Sequence, residues 1–67
     1  MSSLGEELPK EQARVRELIG LYREIGPAGT LAIHLMESTL QRADQAVMSG
    51  DVIAMIQCYE DLKGFTS

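Results

Sequence analysis

His34 and Glu37 stand three residues apart, a spacing that places an imidazole and a carboxylate on one face of a helix. Two such pairs brought together by the symmetry of a dimer would offer ligands to a metal ion. Metal sites gather three or four ligands, however, and His34 is the only histidine in the chain. The pair therefore reads as a polar edge on an apolar helix face, and no metal ligand set is assigned. Cys58 is the single thiol, with no second cysteine or flanking base to lower its pKa and no histidine near it in sequence to act as a general base. It reads as a small, partly buried side chain lying off the main apolar stripe of its helix. No catalytic residue, no cofactor and hence no enzymatic activity is assigned.

Arg14, Arg16 and Arg23, with Lys10, place four of the six basic residues on the first predicted helix. Such a strip could hold a phosphorylated or anionic ligand between subunits, which makes an oligomeric sponge for an anionic nucleotide the alternative function to test. Glu11, Glu17 and Glu24 are interleaved with it, and an Arg14–Glu17 pair at i,i+3 would make the face self-compensated. Gly26-Pro27-Ala28-Gly29-Thr30 has glycines ahead of a helix, but lacks the lysine and the preceding strand of a phosphate-binding loop, so it reads as a turn.

The elements that must position these residues follow from length and pattern. A chain of 67 residues buries only about 60% of the surface its unfolded form exposes. One cysteine excludes an intrachain disulfide, so assembly into oligomers is the expected supplement to a small core. Hydrophobic residues make up 45% and aromatics 4%, which favours helix on helix packed by Leu, Ile, Met and Ala over a β-branched and aromatic sheet surface. The net charge of −4 disfavours phosphate backbones and anionic lipid, so no nucleic acid and no membrane partner is expected. The lone thiol, and the lack of a basic then apolar leader, point to a reducing cytoplasm.

The fold class read from the pattern is all-α, with three short helices: an antiparallel helical hairpin preceded by an amphipathic helix. Residues 1–8 have no apolar period and read as a flexible arm. Pro9 is a helix start, after which Val15, Leu18, Ile19, Tyr22 and Ile25 form one stripe, closed by Gly26 and Pro27. The second helix, about 30–48, carries Met36, Leu40, Ala43 and Val47 on a stripe, while Leu31 to Met36 are apolar nearly all round. Ser49-Gly50-Asp51 makes the turn, and the third helix, about 51–63, presents Val52, Met55, Ile56, Tyr59 and Leu62 before Gly64 stops it. Residues 9–65 thus form one domain. As a DNA-binding helix-turn-helix the last hairpin fails, since Asp51, Glu60 and Asp61 outnumber Lys63 on the would-be recognition helix.

The run Arg42-Ala43-Asp44-Gln45-Ala46-Val47-Met48-Ser49-Gly50-Asp51, continued by Met55, Ile56 and Tyr59, is similar to the Gly-Asp turn and second helix of a tetratricopeptide repeat. One hairpin does not make a solenoid, which needs stacked copies. Leu21-Tyr22-Arg23-Glu24-Ile25-Gly26-Pro27-Ala28-Gly29 followed by the Arg42 to Asp51 run resembles small proteins from the early regions of Mu-like bacteriophages. That resemblance implies a bacterial cytoplasmic location and a role in binding and modulating a host protein.

The functional expectation is a small protein-interaction module. Leu31, Ile33, Leu35, Met36 and Leu40 are the expected self-association surface of a homodimer or higher oligomer. Leu21 and Ile53 are the expected contacts to an unidentified protein that the module inhibits or escorts. A secretion-type co-chaperone is a further possibility of the same class.

Overall fold

The computed structural model describes residues 3–66, and all regular structure among them is helical: α1 (Leu4–Ile25), a single 3-10 turn (Pro27–Gly29), α2 (Thr30–Ser49) and α3 (Val52–Lys63). The all-α fold and the three helices are as the pattern predicts.

The first helix begins earlier than expected, which corrects the flexible arm. Residues 1 and 2 of that arm lie outside the described residues, but Leu4 to Leu8 are helical and Pro9 sits inside α1. The Ser3 carbonyl accepts from the N–H groups of Glu6 at 3.0 Å and Glu7 at 2.9 Å, opening the first turn. The cost of an interior proline is offset because Leu8 is fully buried and Leu4 packs on the same core, so tertiary burial holds the turn that propensity alone would leave frayed.

Gly26, at φ +89°, ends α1, and Gly29 packs so closely on the Tyr22 backbone that a Cβ would lie 2.6 Å from its carbonyl oxygen. At the other turn Gly50, at φ +69°, donates to Val47 O at 3.2 Å while Asp51 N–H donates to Ala46 O at 3.0 Å, the paired bonds of a Schellman ending. The Asp51 carboxylate then accepts from Ala54 N–H at 3.1 Å and caps α3. Ser49 takes no part in that cap and turns back, its hydroxyl donating to Ala46 O.

The core is built from Leu8, Val15, Leu18 and Ile19 of α1, Met36, Leu40 and Ala43 of α2, and Cys58 and Leu62 of α3. Four stripe residues leave it, Val47 among them. Ile25, Val52 and Ile56 are exposed, because α3 turns Cys58 inward and with it moves Val52 and Ile56 outward; Ala46 takes the place expected for Val47. Cys58 is therefore fully buried, where the pattern placed it off the stripe.

Gln12 Nε2 donates to Asp44 Oδ1 at 2.8 Å, which sets α1 antiparallel to α2. Arg14 reaches the carboxyl end of α3, so α3 runs parallel to α1 and beside its first half. With 12 residues against 22 and 20, α3 spans about 18 Å where its neighbours span about 30 Å. The molecule is a three-helix bundle at one end and a two-helix hairpin at the other. Its radius of gyration, 12.2 Å, exceeds the roughly 11 Å of a compact chain of this length, in keeping with extents of 36 × 23 × 15 Å.

Candidate protein interaction surface

The early stop of α3 decides which side chains are left uncovered. Arg14, Leu18, Leu21 and Ile25 fall on one stripe of α1 by their spacing of four, three and four. Arg14 marks that stripe as the one facing α3, since its Nη2 donates to Leu62 O at 2.7 Å and its Nη1 to Phe65 O at 2.9 Å. On α2 the matching stripe holds Leu31, Leu35 and Arg42, and Arg42 meets Asp61 of α3 at 3.5 Å. Beyond the end of α3 the two stripes go on without a third helix. Leu21, Ile25, Leu31 and Leu35 are 55%, 61%, 71% and 54% exposed along this apolar groove.

The foot of the groove is closed by the chain after α3. Phe65 is half-buried against the core, and the Tyr22 hydroxyl donates to Thr66 O at 2.8 Å. Its α1 rim carries Glu17 and Glu24, and its α2 rim His34 and Ser38, all exposed. A second apolar surface lies on the outer face of α3, where Val52, Ile53 and Ile56 point away from Cys58 and Leu62; Met48 stands exposed at the turn leading into it.

The expected self-association residues are thus divided. Leu31 and Leu35 are exposed in the groove, and Ile33 is half-buried against the core. Met36 and Leu40 are corrected: both are core residues of the single chain, because α2 turns them toward Val15, Ile19 and Leu62, and neither is open to a partner. Leu21 and Ile53, expected as partner contacts, are both exposed, but on different surfaces.

The cationic strip is likewise divided. Arg14 pairs with Glu11 at 2.7 Å, not with Glu17, and spends its remaining donors on the end of α3. Arg16 lies 3.8 Å from Asp44. Arg16 and Arg23 line an open recess of about 470 Å³ between α1 and α2, but Glu37 and Asp44 line it too. The two carboxylates offset the formal charge of the two guanidinium groups there.

His34 is exposed and Glu37 turns into that same recess. Among the described residues no three His, Cys, Asp or Glu side chains stand close enough to hold a metal ion. Burial pushes the Cys58 thiol above its ordinary value, an effect that the Arg42 charge reduces and Asp61 adds to. No described helix is long and apolar enough to cross a membrane.

Two residues that matter were not singled out from sequence. Gln12 and Thr39 are buried polar groups, satisfied by Asp44 and by Leu35 O respectively. Gln12 had a readable signal, since it falls four residues after Leu8 and three before Val15 on the buried face.

No family model, curated protein or solved structure matches the chain.

Proposed function

We propose that this chain is a protein-interaction module that docks another protein chain through apolar surface and inhibits or escorts it. The observation that carries this reading is the groove left where α3 ends, with four large apolar side chains each more than half exposed. Single exposed apolar residues are ordinary on a monomer, but a contiguous set lining a groove marks a docking site for a helix. The resemblance to early-region proteins of Mu-like phages supports a bacterial cytoplasmic setting and a host protein as the target. The nucleotide-sponge alternative loses support from the pairing of Arg14 and Arg16 and from the carboxylates beside Arg23.

A photo-crosslinking residue placed at Leu31 or Ile25, with the protein expressed in a bacterial host, tests the reading. Discrete adducts to a second protein, distinct from a crosslinked pair of copies of this chain, are expected from these positions and not from Gln45, exposed beside α3 toward the other end of α2. Equal labelling from all three, or none from a folded protein, would overturn it.

A further inference from the structure

The groove and the outer face of α3 account for one another. We infer that two copies of this chain dock reciprocally, each laying the outer face of its α3 (Val52, Ile53, Ile56) into the partner's groove (Leu21, Ile25, Leu31, Leu35). The inference rests on the protein-docking reading above and names a second copy as the occupant.

The topology permits it. Because α3 runs parallel to α1 beside its first half only, a two-fold axis perpendicular to the helices and level with the end of α3 turns the partner's α3 over the uncovered half. The same rotation brings this chain's α3 over the partner's uncovered half. Two α3 helices then lie end to end between two α1–α2 layers, and one isologous contact fills both grooves.

Length, area and charge agree with this occupant. Above the Phe65–Thr66 segment the exposed apolar stretches, Leu21 to Ile25 on α1 and Leu31 to Leu35 on α2, each run about 6 Å along the axis, as does Val52 to Ile56 on α3. The seven side chains, each about half to seven-tenths exposed, amount to roughly 700 Å² per copy, near the ~800 Å² that one partner gives to a standard interface. Antiparallel docking sets the partner's Val52 and Ile53 near Ile25 and Leu31, and its Lys63 near the foot. Glu17 waits on the rim there. Neither Lys63 nor Glu17 makes an ion pair among the described residues; Lys63 Nζ rests over the Tyr59 ring, 5.1 Å from its centre.

Sedimentation equilibrium of the full chain over micromolar to submillimolar concentration tests the inference, with Ile53→Lys and Leu31→Glu as variants. Both positions are 71% exposed, so each variant is expected to keep its helical circular dichroism and melt. Wild type should be a dimer, and each variant alone should dimerise about 100-fold more weakly, since a charge is then pressed into an apolar contact. An equimolar mixture of the two should restore the dimer mass, because one contact is then wild type and the other pairs Lys with Glu. A wild-type monomer throughout, a dimer weakened by only one substitution, or no rescue on mixing would overturn it. A foreign adduct from Leu31 in cells would survive that failure, so the two readings fail separately.

Discussion

Arg14 holds the carboxyl end of α3 in place, its Nη2 donating to Leu62 O at 2.7 Å and its Nη1 to Phe65 O at 2.9 Å. Leu62 O belongs to the last turn of α3, where it also accepts from Phe65 N–H at 3.1 Å, and Phe65 lies just beyond the helix. Gly64 does not supply the left-handed ending that its residue type predicts; its φ is −73°. The arginine does the work of that cap from 48 residues away in sequence, and Glu11 at 2.7 Å fixes its direction. Replacing Arg14 with Ala should therefore lower stability by about 1–2 kcal/mol, given ~1.5–3 for hydrogen bonds to a charged group and a discount for partial exposure. Arg14→Lys should recover less than half, since an ammonium cannot reach two carbonyls in the planar fork geometry. Thermal denaturation reads both; an unchanged melt in Arg14→Ala would show that the end of α3 needs no cap.

Two glycines make opposite predictions for the same substitution. A Cβ on Gly29 would meet Tyr22 O at 2.6 Å and Tyr22 C at 3.3 Å, both backbone atoms that cannot step aside without opening the α1–α2 turn. Gly29→Ala should cost about 2 kcal/mol or more, in the range of overpacking strain. Gly20 lies exposed inside α1 with nothing within 4 Å of the added atom, so Gly20→Ala should gain about 0.5–1 kcal/mol from backbone entropy alone. Urea midpoints measured side by side decide it, and shifts of the same sign would defeat the comparison.

The three helices and both turns were legible because their signals are local: apolar spacing, Gly50 followed by Asp51, Gly26 followed by Pro27. What sequence could not give is how far one helix rotates against another. α3 has apolar residues on more than one face, and period alone cannot choose between the face with Val52 and Ile56 and the face with Cys58; packing against Leu8, Val15 and Met36 chooses the second. The same limit explains Met36 and Leu40. The apolar first half of α2 serves the chain's own core with Met36 and part of Ile33, and offers only Leu31 and Leu35 to solvent. A charge at Ile33 would thus report on folding, whereas one at Leu31 reports on docking. The start of α1 was hidden because Pro9 is a strong local signal and the burial of Leu8 is a nonlocal one.

Gln12 and Asp44 join α1 to α2 through a partly buried bond of 2.8 Å. Asp44→Ala would leave the Gln12 amide, 7% exposed, without its acceptor, at a cost of about 1–3 kcal/mol. Gln12→Leu in the Asp44→Ala background removes the orphaned donor and should return much of that loss. The double-mutant cycle on melting free energies should give a coupling of about 1 kcal/mol or more. Strict additivity would mean the bond contributes nothing specific to helix register.

Cys58 gives the fold a pH dependence on the alkaline side. Its thiol is 3% exposed, and burial raises its pKa above the ordinary 9.0, with Arg42 opposing and Asp61 adding to the shift. Well below pH 9.0 both the folded and the unfolded chain hold a neutral thiol, so this group leaves stability unchanged with pH there. As pH rises past 9.0 the unfolded thiol ionises first, the unfolded chain gains free energy from losing its proton, and stability falls until the folded thiol also ionises at its own higher value. Tyrosines and lysines titrate in the same region, so the informative quantity is the difference from Cys58→Ala, which removes this contribution and leaves theirs. Denaturant melts of the two proteins should run parallel from pH 6 to about 8 and converge as pH is raised above that, the wild type losing its advantage. The same burial should make Cys58 react with an aromatic disulfide reagent at least tenfold more slowly than a free cysteine at neutral pH, with full reactivity returning in denaturant. A thiol that reacts at the free rate in the folded protein, or melts that stay parallel through the alkaline range, would place Cys58 outside the core.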